Sequence, residues 1–125
     1  MKITLDQGFQ FGLGAFETIA VEQGKPIFLE KHLKRLERAA RYLGLGELQE
    51  RGITEQAISS YLKKQDPKKL THSAMKLMLS EQNVIFQMRE NHYTEEQYEK
   101  GFTADFSKIR RNETSPLVSY KTMNY

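Results

Sequence analysis

The chain has 125 residues, of which 28% are charged and 38% hydrophobic, and it carries a net charge of +3. This length and composition are typical of one globular domain with a modest core. The chain contains no cysteine, which excludes a disulfide framework and a thiolate metal site. The three histidines are scattered and do not pair at i, i+4, so no metal site is predicted.

Membrane and nucleic-acid functions are not expected. No apolar run approaches the ~18 residues of a membrane span, and the N-terminus lacks the apolar segment of a signal peptide. A cytoplasmic location is therefore expected. The basic residues are dispersed among acids, whereas nucleic-acid binding favours a basic stripe or patch.

The first distinctive stretch, residues 8–18, is rich in glycine and phenylalanine. Gly12 and Gly14 allow a positive φ or a close approach of the backbone. The spacing does not fit a nucleotide-binding loop, because Glu17 occupies the position of the third glycine and a strand follows instead of a helix. We predict that strand over residues 16–21, followed by a turn at residues 23–26.

An amphipathic helix is predicted over residues 29–43, with Gly44 as its C-terminal cap. Arg35 lies roughly 120° from the leucine stripe, on the same flank as His32 and Ala39. Two interpretations of Arg35 remain open from spacing alone. It is either an exposed helix arginine or a side chain that reaches around the domain edge toward a cleft.

The remaining elements predict an α+β fold with two layers, in which helices cover one face of an antiparallel sheet. Periodicity and capping signals predict a helix over 55–65, a hairpin of strands over 73–80 and 84–89, a short helix ending at Gly101, and a strand over 102–106. The last stretch, residues 115–125, is unusually apolar for a chain end and contains Lys121. Lys121 is either a surface lysine near a frayed end or an ammonium in apolar surroundings, where a lysine becomes nucleophilic.

Three segments, residues 6–18, 32–40 and 109–125, together resemble the fold-type IV pyridoxal-phosphate enzymes, or class IV aminotransferases. This family includes branched-chain aminotransferase, D-amino acid aminotransferase and 4-amino-4-deoxychorismate lyase. The resemblance covers essentially the whole chain, but only the family's N-terminal domain. It implies an N-terminal α+β domain over 1–118 and the start of an interdomain connection over 119–125, with the C-terminal cofactor-binding domain absent.

The resemblance also implies a set of site residues. Lys121 matches the Schiff-base lysine of the pyridoxal 5′-phosphate cofactor, Arg35 the arginine that grips the cofactor phosphate, and Tyr125 a position near the phenolic oxygen. Phe16 and, less closely, Phe11 match residues of the substrate pocket. Leu13 departs from the acidic residue that is common between the two glycines.

The function implied is that of an enzyme most like aminodeoxychorismate lyase, which eliminates pyruvate to give 4-aminobenzoate for folate synthesis. The alternative within the family is an aminotransferase for a branched-chain or D-amino acid. The alternative of another class is a catalytically inactive fragment or a dimerisation module, because the acidic partner of the ring nitrogen and further phosphate donors come from the second domain. The resemblance further implies a homodimer with a small-molecule substrate.

Overall fold

The computed structural model describes residues 2–124. Four strands form one antiparallel sheet in the order β2-β1-β3-β4. The elements are, in chain order, α1 (Gln7–Phe11), β1 (Gly14–Glu22), β2 (Lys25–Pro26), α2 (Leu29–Leu43), α3 (Glu55–Lys63), a 3-10 helix (Pro67–Leu70), β3 (His72–Ser80), β4 (Val84–Glu90), α4 (Glu95–Lys100) and a second 3-10 helix (Pro116–Ser119).

The core lies between one face of this sheet and the helices α2 and α3. Every second residue of β1 from Ala15 onward, and of β3 from Met75 onward, points inward and is buried. Apolar side chains on these strands pack against Leu36 of α2 and Ile58 of α3, among others. Burying a side chain of this size contributes about 1.5–3 kcal/mol. The predicted α+β architecture with helices on one face is confirmed.

Helix α2 has the bounds that the sequence predicts, Leu29–Leu43. Its stripe of leucine and alanine faces the sheet, and Leu36, Ala39 and Ala40 are buried. Gly44 adopts the left-handed conformation, with φ 67°, and its N–H donates to the carbonyl oxygens of Ala40 and Arg41. A side chain at this φ is strained, so glycine is the residue that ends the helix.

The two strands of the predicted hairpin, β3 and β4, are also confirmed, with Leu77 paired to Phe86 at their centre. Helix α3 begins after Thr54, whose side chain accepts from the N–H of Ala57 and so caps the helix. It ends at Lys63, two residues before the predicted end. Helix ends are the least certain part of such predictions, because the last turn is held by few hydrogen bonds.

The predicted strand over residues 102–106 is wrong. Phe102, Ala104 and Phe106 alternate in sequence, but the chain there has no regular secondary structure and is exposed throughout. Phe106 is 98% exposed. Alternation produces a strand only where a neighbouring strand and a buried face are available, and none of the described strands pairs with this segment.

His72, the first residue of β3, links the residues just before α4 to the sheet through two side-chain contacts. The imidazole of His72 contacts Glu22 through Nδ1 at 2.8 Å and the carbonyl oxygen of Tyr93 through Nε2 at 3.1 Å. Both partners are acceptors, so the imidazolium form satisfies both contacts by donating twice. The hydrogen bond to Glu22 is the main cause of a raised pKa at His72. Helix α4 then begins with a capping box, in which the Thr94 side chain accepts from the N–H of Gln97 and the Gln97 side chain accepts from the N–H of Thr94.

Over residues 2–124, no helix combines the length and the apolar character that a membrane crossing requires.

Candidate functional site

The C-terminal segment lies alongside β1 as a short extra strand. The N–H of Phe16 donates to the carbonyl oxygen of Lys121 at 3.1 Å, and the N–H of Met123 donates to the carbonyl oxygen of Gly14 at 2.8 Å. Thr122 forms an antiparallel bridge with Ala15. The segment pairs with the side of β1 that β3 does not occupy. The chain therefore delivers Lys121 to the edge of the sheet.

Two glycines make this close approach possible. A Cβ atom on Gly14 would lie 2.6 Å from the sulfur of Met123 and 2.9 Å from the carbonyl oxygen of Leu79. Gly12 has a φ of 70°, and a Cβ atom there would lie 3.0 Å from the Cβ of Asn124. Both properties expected of these glycines are found, a positive φ at Gly12 and a close approach of the backbone at Gly12 and Gly14. They serve the docking of the segment that carries Lys121.

The amine of Lys121 lies against an aromatic ring and not inside an apolar core. Its Nζ is 5.1 Å from the centroid of the Phe16 ring, and the side chain is half-buried. Lys76 of β3 places its own Nζ 4.8 Å from the same centroid. A cation over an aromatic face is attracted by the ring quadrupole. Phe16 therefore holds two ammonium groups on the sheet face opposite α2 and α3.

On the helix side of β1, a buried carboxylate organises two basic residues of α2. Glu17 is fully buried. Arg35 donates to it from Nε at 2.6 Å and from Nη2 at 2.5 Å. His32 contacts the same carboxylate through Nδ1 at 2.8 Å. The paired fork is the strong, directional form of an arginine–carboxylate contact, so Glu17 fixes the plane of a guanidinium whose side chain remains 49% exposed.

Glu17 is a functional candidate that the sequence interpretation missed. Its neighbours in register, Ala15, Ile19 and Val21, are all small or apolar and all point inward. An acid in an inward-facing position requires a cationic partner, because a buried lone charge is very costly. The flank of α2 that carries His32 and Arg35 supplies that partner. The alternation of inward and outward side chains along β1 was thus the sequence signal that could have linked Glu17 to Arg35.

The two predicted cofactor residues Lys121 and Arg35 are held by consecutive residues of β1. Phe16 binds the backbone of Lys121 and contacts its amine, and Glu17 binds the guanidinium of Arg35. Consecutive strand residues face opposite sides of a sheet. The amine of Lys121 and the guanidinium of Arg35 are therefore held on opposite faces of the sheet, by β1 residues that are adjacent in sequence. An amine can bind an aldehyde carbon and a guanidinium can bind phosphate, and each of these two groups is held by its own residue of β1.

Of the other predicted site residues, Phe11 is exposed on α1. Phe11 is the last residue of α1, and its side chain is 68% exposed. Tyr125 lies outside the described residues, so its predicted place near the cofactor stays a prediction.

Comparison with known proteins gives a family match that spans most of the chain. Residues 14–125 match the family described as amino-transferase class IV. The crystal structure of a protein assigned as a 4-amino-4-deoxychorismate lyase superposes with a TM-score of 0.71 and 24% identity, covering 99% of this chain and 50% of its own. The 4-amino-4-deoxychorismate lyase of Pseudomonas aeruginosa gives a TM-score of 0.56 and 23% identity over 81% of this chain and 41% of its own. At these identities, the two structures show a shared fold.

A local sequence match points to the same group of proteins. The aminodeoxychorismate lyase of Bacillus subtilis (strain 168) is 47% identical over 38 residues, which are 30% of this chain and 13% of that protein. The chain spans half the length of the first structure above and less of the second.

Proposed function

Because the chain belongs to the class IV aminotransferase family, we propose that Lys121 and Arg35 form this domain's part of a pyridoxal 5′-phosphate site. In this proposal, Lys121 binds the aldehyde carbon and Arg35 anchors the phosphate. The observation that carries the proposal is the attachment of both residues to consecutive positions of β1. Their chemistry, a nucleophilic amine and an oriented guanidinium, matches the two ends of the cofactor.

In this proposal, Lys121, Phe16, Glu17 and Arg35 have different roles in the reaction. When bound, pyridoxal phosphate supplies an electron sink for charge that develops at the substrate's α-carbon. With the cofactor and substrate bound, the free amine of Lys121 would accept the α-proton of the substrate as a general base. Phe16 restricts where that amine lies by holding it against its ring. Glu17 orients the phosphate anchor, so that Arg35 need not be ordered upon binding.

We propose that the reaction is a lyase reaction like that of aminodeoxychorismate lyase, in which pyruvate is eliminated and 4-aminobenzoate is formed for folate synthesis. The local identity to the Bacillus subtilis protein supports this choice. The alternative, transfer of the amino group of a branched-chain or D-amino acid, uses the same lysine and arginine. Release of 4-aminobenzoate and pyruvate by the full-length enzyme is the expected result. Amino transfer that depends on a keto acid, without 4-aminobenzoate, would favour the alternative.

Covalent labelling tests the cofactor proposal on this chain. After incubation with pyridoxal phosphate and reduction with borohydride, peptide mapping is expected to find label at Lys121 in preference to Lys76. Lys76 is the matched internal control, because its amine lies at a similar distance from the same ring. Pyridoxal, which lacks the phosphate, should show a weaker preference. Equal labelling of both lysines in the folded chain would contradict the proposal and favour the inactive dimerisation module.

We also propose that the protein is a cytoplasmic homodimer, as the family implies. Exposed apolar side chains, including Phe9, Phe11 and Phe28, are available to a partner surface. Sedimentation equilibrium is expected to give twice the chain mass of 14.6 kDa, and a monomer at high concentration would contradict the proposal.

A further inference from the structure

Tyr42, one residue before the last residue of α2, stacks on Tyr120, the residue that precedes Lys121. The two ring centroids are 4.4 Å apart and the ring planes differ by 15°. We propose that Tyr42 is a positioning residue, which fixes the register of the C-terminal segment on β1 and so decides on which face of the sheet the Lys121 amine emerges. The proposal gives Tyr42 a role in the site, and to that extent it rests on the proposed function of Lys121.

The side chains of the segment alternate between the two faces of the sheet. Tyr120 packs against the core cluster on the helix side, and Thr122 is buried there beside Ala15. Lys121 and Met123 take the other face. The amine of Lys121 lies over the Phe16 ring there, and Met123 lines a small apolar cavity with Met78 and Ile85 of the open sheet face.

A slip of one residue would reverse this alternation, because side chains along a strand have a period of two. Lys121 would then point toward α2 and the buried Ala15, away from Phe16. The backbone does little to prevent such a slip, since two hydrogen bonds join the described part of the segment to β1. Gly14, opposite Met123, offers no side chain that could select the register.

The Tyr42–Tyr120 stack supplies the missing selection. A stacked aromatic pair contributes beyond the area that it buries, and it can form only when Tyr120 faces the helices. Tyr42 is itself 46% exposed, so removing its ring leaves the main core intact. The position therefore offers a variant that tests register without unfolding the domain.

Hydrogen exchange followed by NMR tests the register directly. Tyr42→Ala is expected to accelerate exchange of the Phe16 and Met123 amides, the two donors of the pairing, by about 5-fold, the factor that corresponds to the loss of one aromatic pair. Amides of the β1–β3 pairing should keep their rates, which shows that the sheet is intact. Tyr42→Phe keeps the ring and should behave like the parent chain.

Tyr93→Ala is the matched control, because it removes an aromatic contact with Tyr98 and Phe102 that is remote from the segment. It should leave the Phe16 and Met123 amides unchanged. The proposal is overturned if Tyr42→Ala also leaves them unchanged, or if Tyr42→Phe accelerates them as much as Tyr42→Ala does.

The labelling ratio of Lys121 to Lys76 supplies a second readout, separate from any catalytic assay. Tyr42→Ala is expected to lower this ratio, and Tyr42→Phe to preserve it. An unchanged ratio in Tyr42→Ala would show that the position of the Lys121 amine does not depend on Tyr42, and would overturn the proposal. If the parent chain itself shows no preference for Lys121, the proposed function fails, whereas the exchange rates still decide whether Tyr42 fixes the register.

Discussion

Replacing Arg35 by alanine is expected to lower the free energy of unfolding by about 2–4 kcal/mol, the largest effect that we predict for any residue of the site. The variant leaves the carboxylate of Glu17 fully buried, with His32 as its remaining basic contact. Removal of one partner of a buried ion pair is costly because the other charge stays behind without full compensation. The half-exposed position of Arg35 moderates this cost, since water can enter the space that it leaves.

Urea denaturation followed by circular dichroism measures the effect. Arg38→Ala is the matched control, because Arg38 is an exposed arginine of the same helix, and its replacement should cost less than about 0.5 kcal/mol. Arg35→Lys keeps the charge but loses the fork, so its stability should fall between that of the parent chain and that of Arg35→Ala. Equal stabilities of Arg35→Ala and Arg38→Ala would show that Glu17 does not depend on Arg35.

The double variant Glu17→Gln, Arg35→Ala separates the ion pair from the packing. The Glu17→Gln substitution leaves an uncharged amide in place of the carboxylate, so the loss of Arg35 should cost less in that background than in the parent chain. The Arg35→Ala chain with Glu17 intact should label equally with pyridoxal phosphate and with pyridoxal. A phosphate preference that survives in this variant would assign the phosphate anchor to another residue, even if the stability effect is as large as expected.

The regular elements could be predicted where local signals and tertiary packing agree. The bounds of α2 could be predicted from its leucine stripe and from Gly44. Both the residues that pack against the sheet and the residue that ends the helix lie in one continuous stretch of sequence. The strand β1 begins at Gly14, two residues before its predicted start. Its first residues are glycine and alanine, which are poor strand formers, and they join the strand because Ser80 and Leu79 of β3 pair with them.

The site was only partly predictable, because its contacts join residues that are far apart in the sequence. Spacing placed Arg35 on the correct flank of α2, but its contact with Glu17 joins residues 18 positions apart and depends on the inward parity of β1. The stack of Tyr42 on Tyr120 and the convergence of Lys76 and Lys121 on Phe16 depend on how the C-terminal segment pairs with β1. Helical periodicity and strand alternation describe single elements, so they do not reveal contacts that form when two elements dock.

A second large effect is expected at Asp6, whose buried carboxylate fastens α1 to the turn between β3 and β4. Its side chain is 3% exposed. It accepts hydrogen bonds from the Ser80 hydroxyl at 2.6 Å, the Gln82 N–H at 2.9 Å and the Asn83 amide at 2.8 Å, and from the N–H of Phe9 at 3.1 Å. The Ser80 hydrogen bond is the main cause that lowers the pKa of Asp6 from 3.8 to about 2.

The lowered pKa fixes how stability changes with pH. A carboxyl group with a lower pKa in the folded chain than in the unfolded chain stabilises the fold above the unfolded value, here above about pH 4. This contribution, about 2 kcal/mol, is lost as the pH falls toward 2. Asp6→Asn should therefore be less stable than the parent chain by about this amount at pH 7. The difference should narrow steadily when unfolding is repeated between pH 4 and pH 2.

Asp66→Asn provides the control, because Asp66 caps the 3-10 helix at Pro67–Leu70 from an exposed position and its replacement should cost less than about 1 kcal/mol at pH 7. A difference between Asp6→Asn and the parent chain that stays constant from pH 7 to pH 2 would assign the role of Asp6 to packing instead of charge. The charge matters to the site because α1 leads directly into Gly12 and Gly14, against which the Lys121 segment lies. Acidification should therefore accelerate amide exchange at Met123 in the parent chain relative to Asp6→Asn, once the intrinsic effect of pH on exchange is corrected.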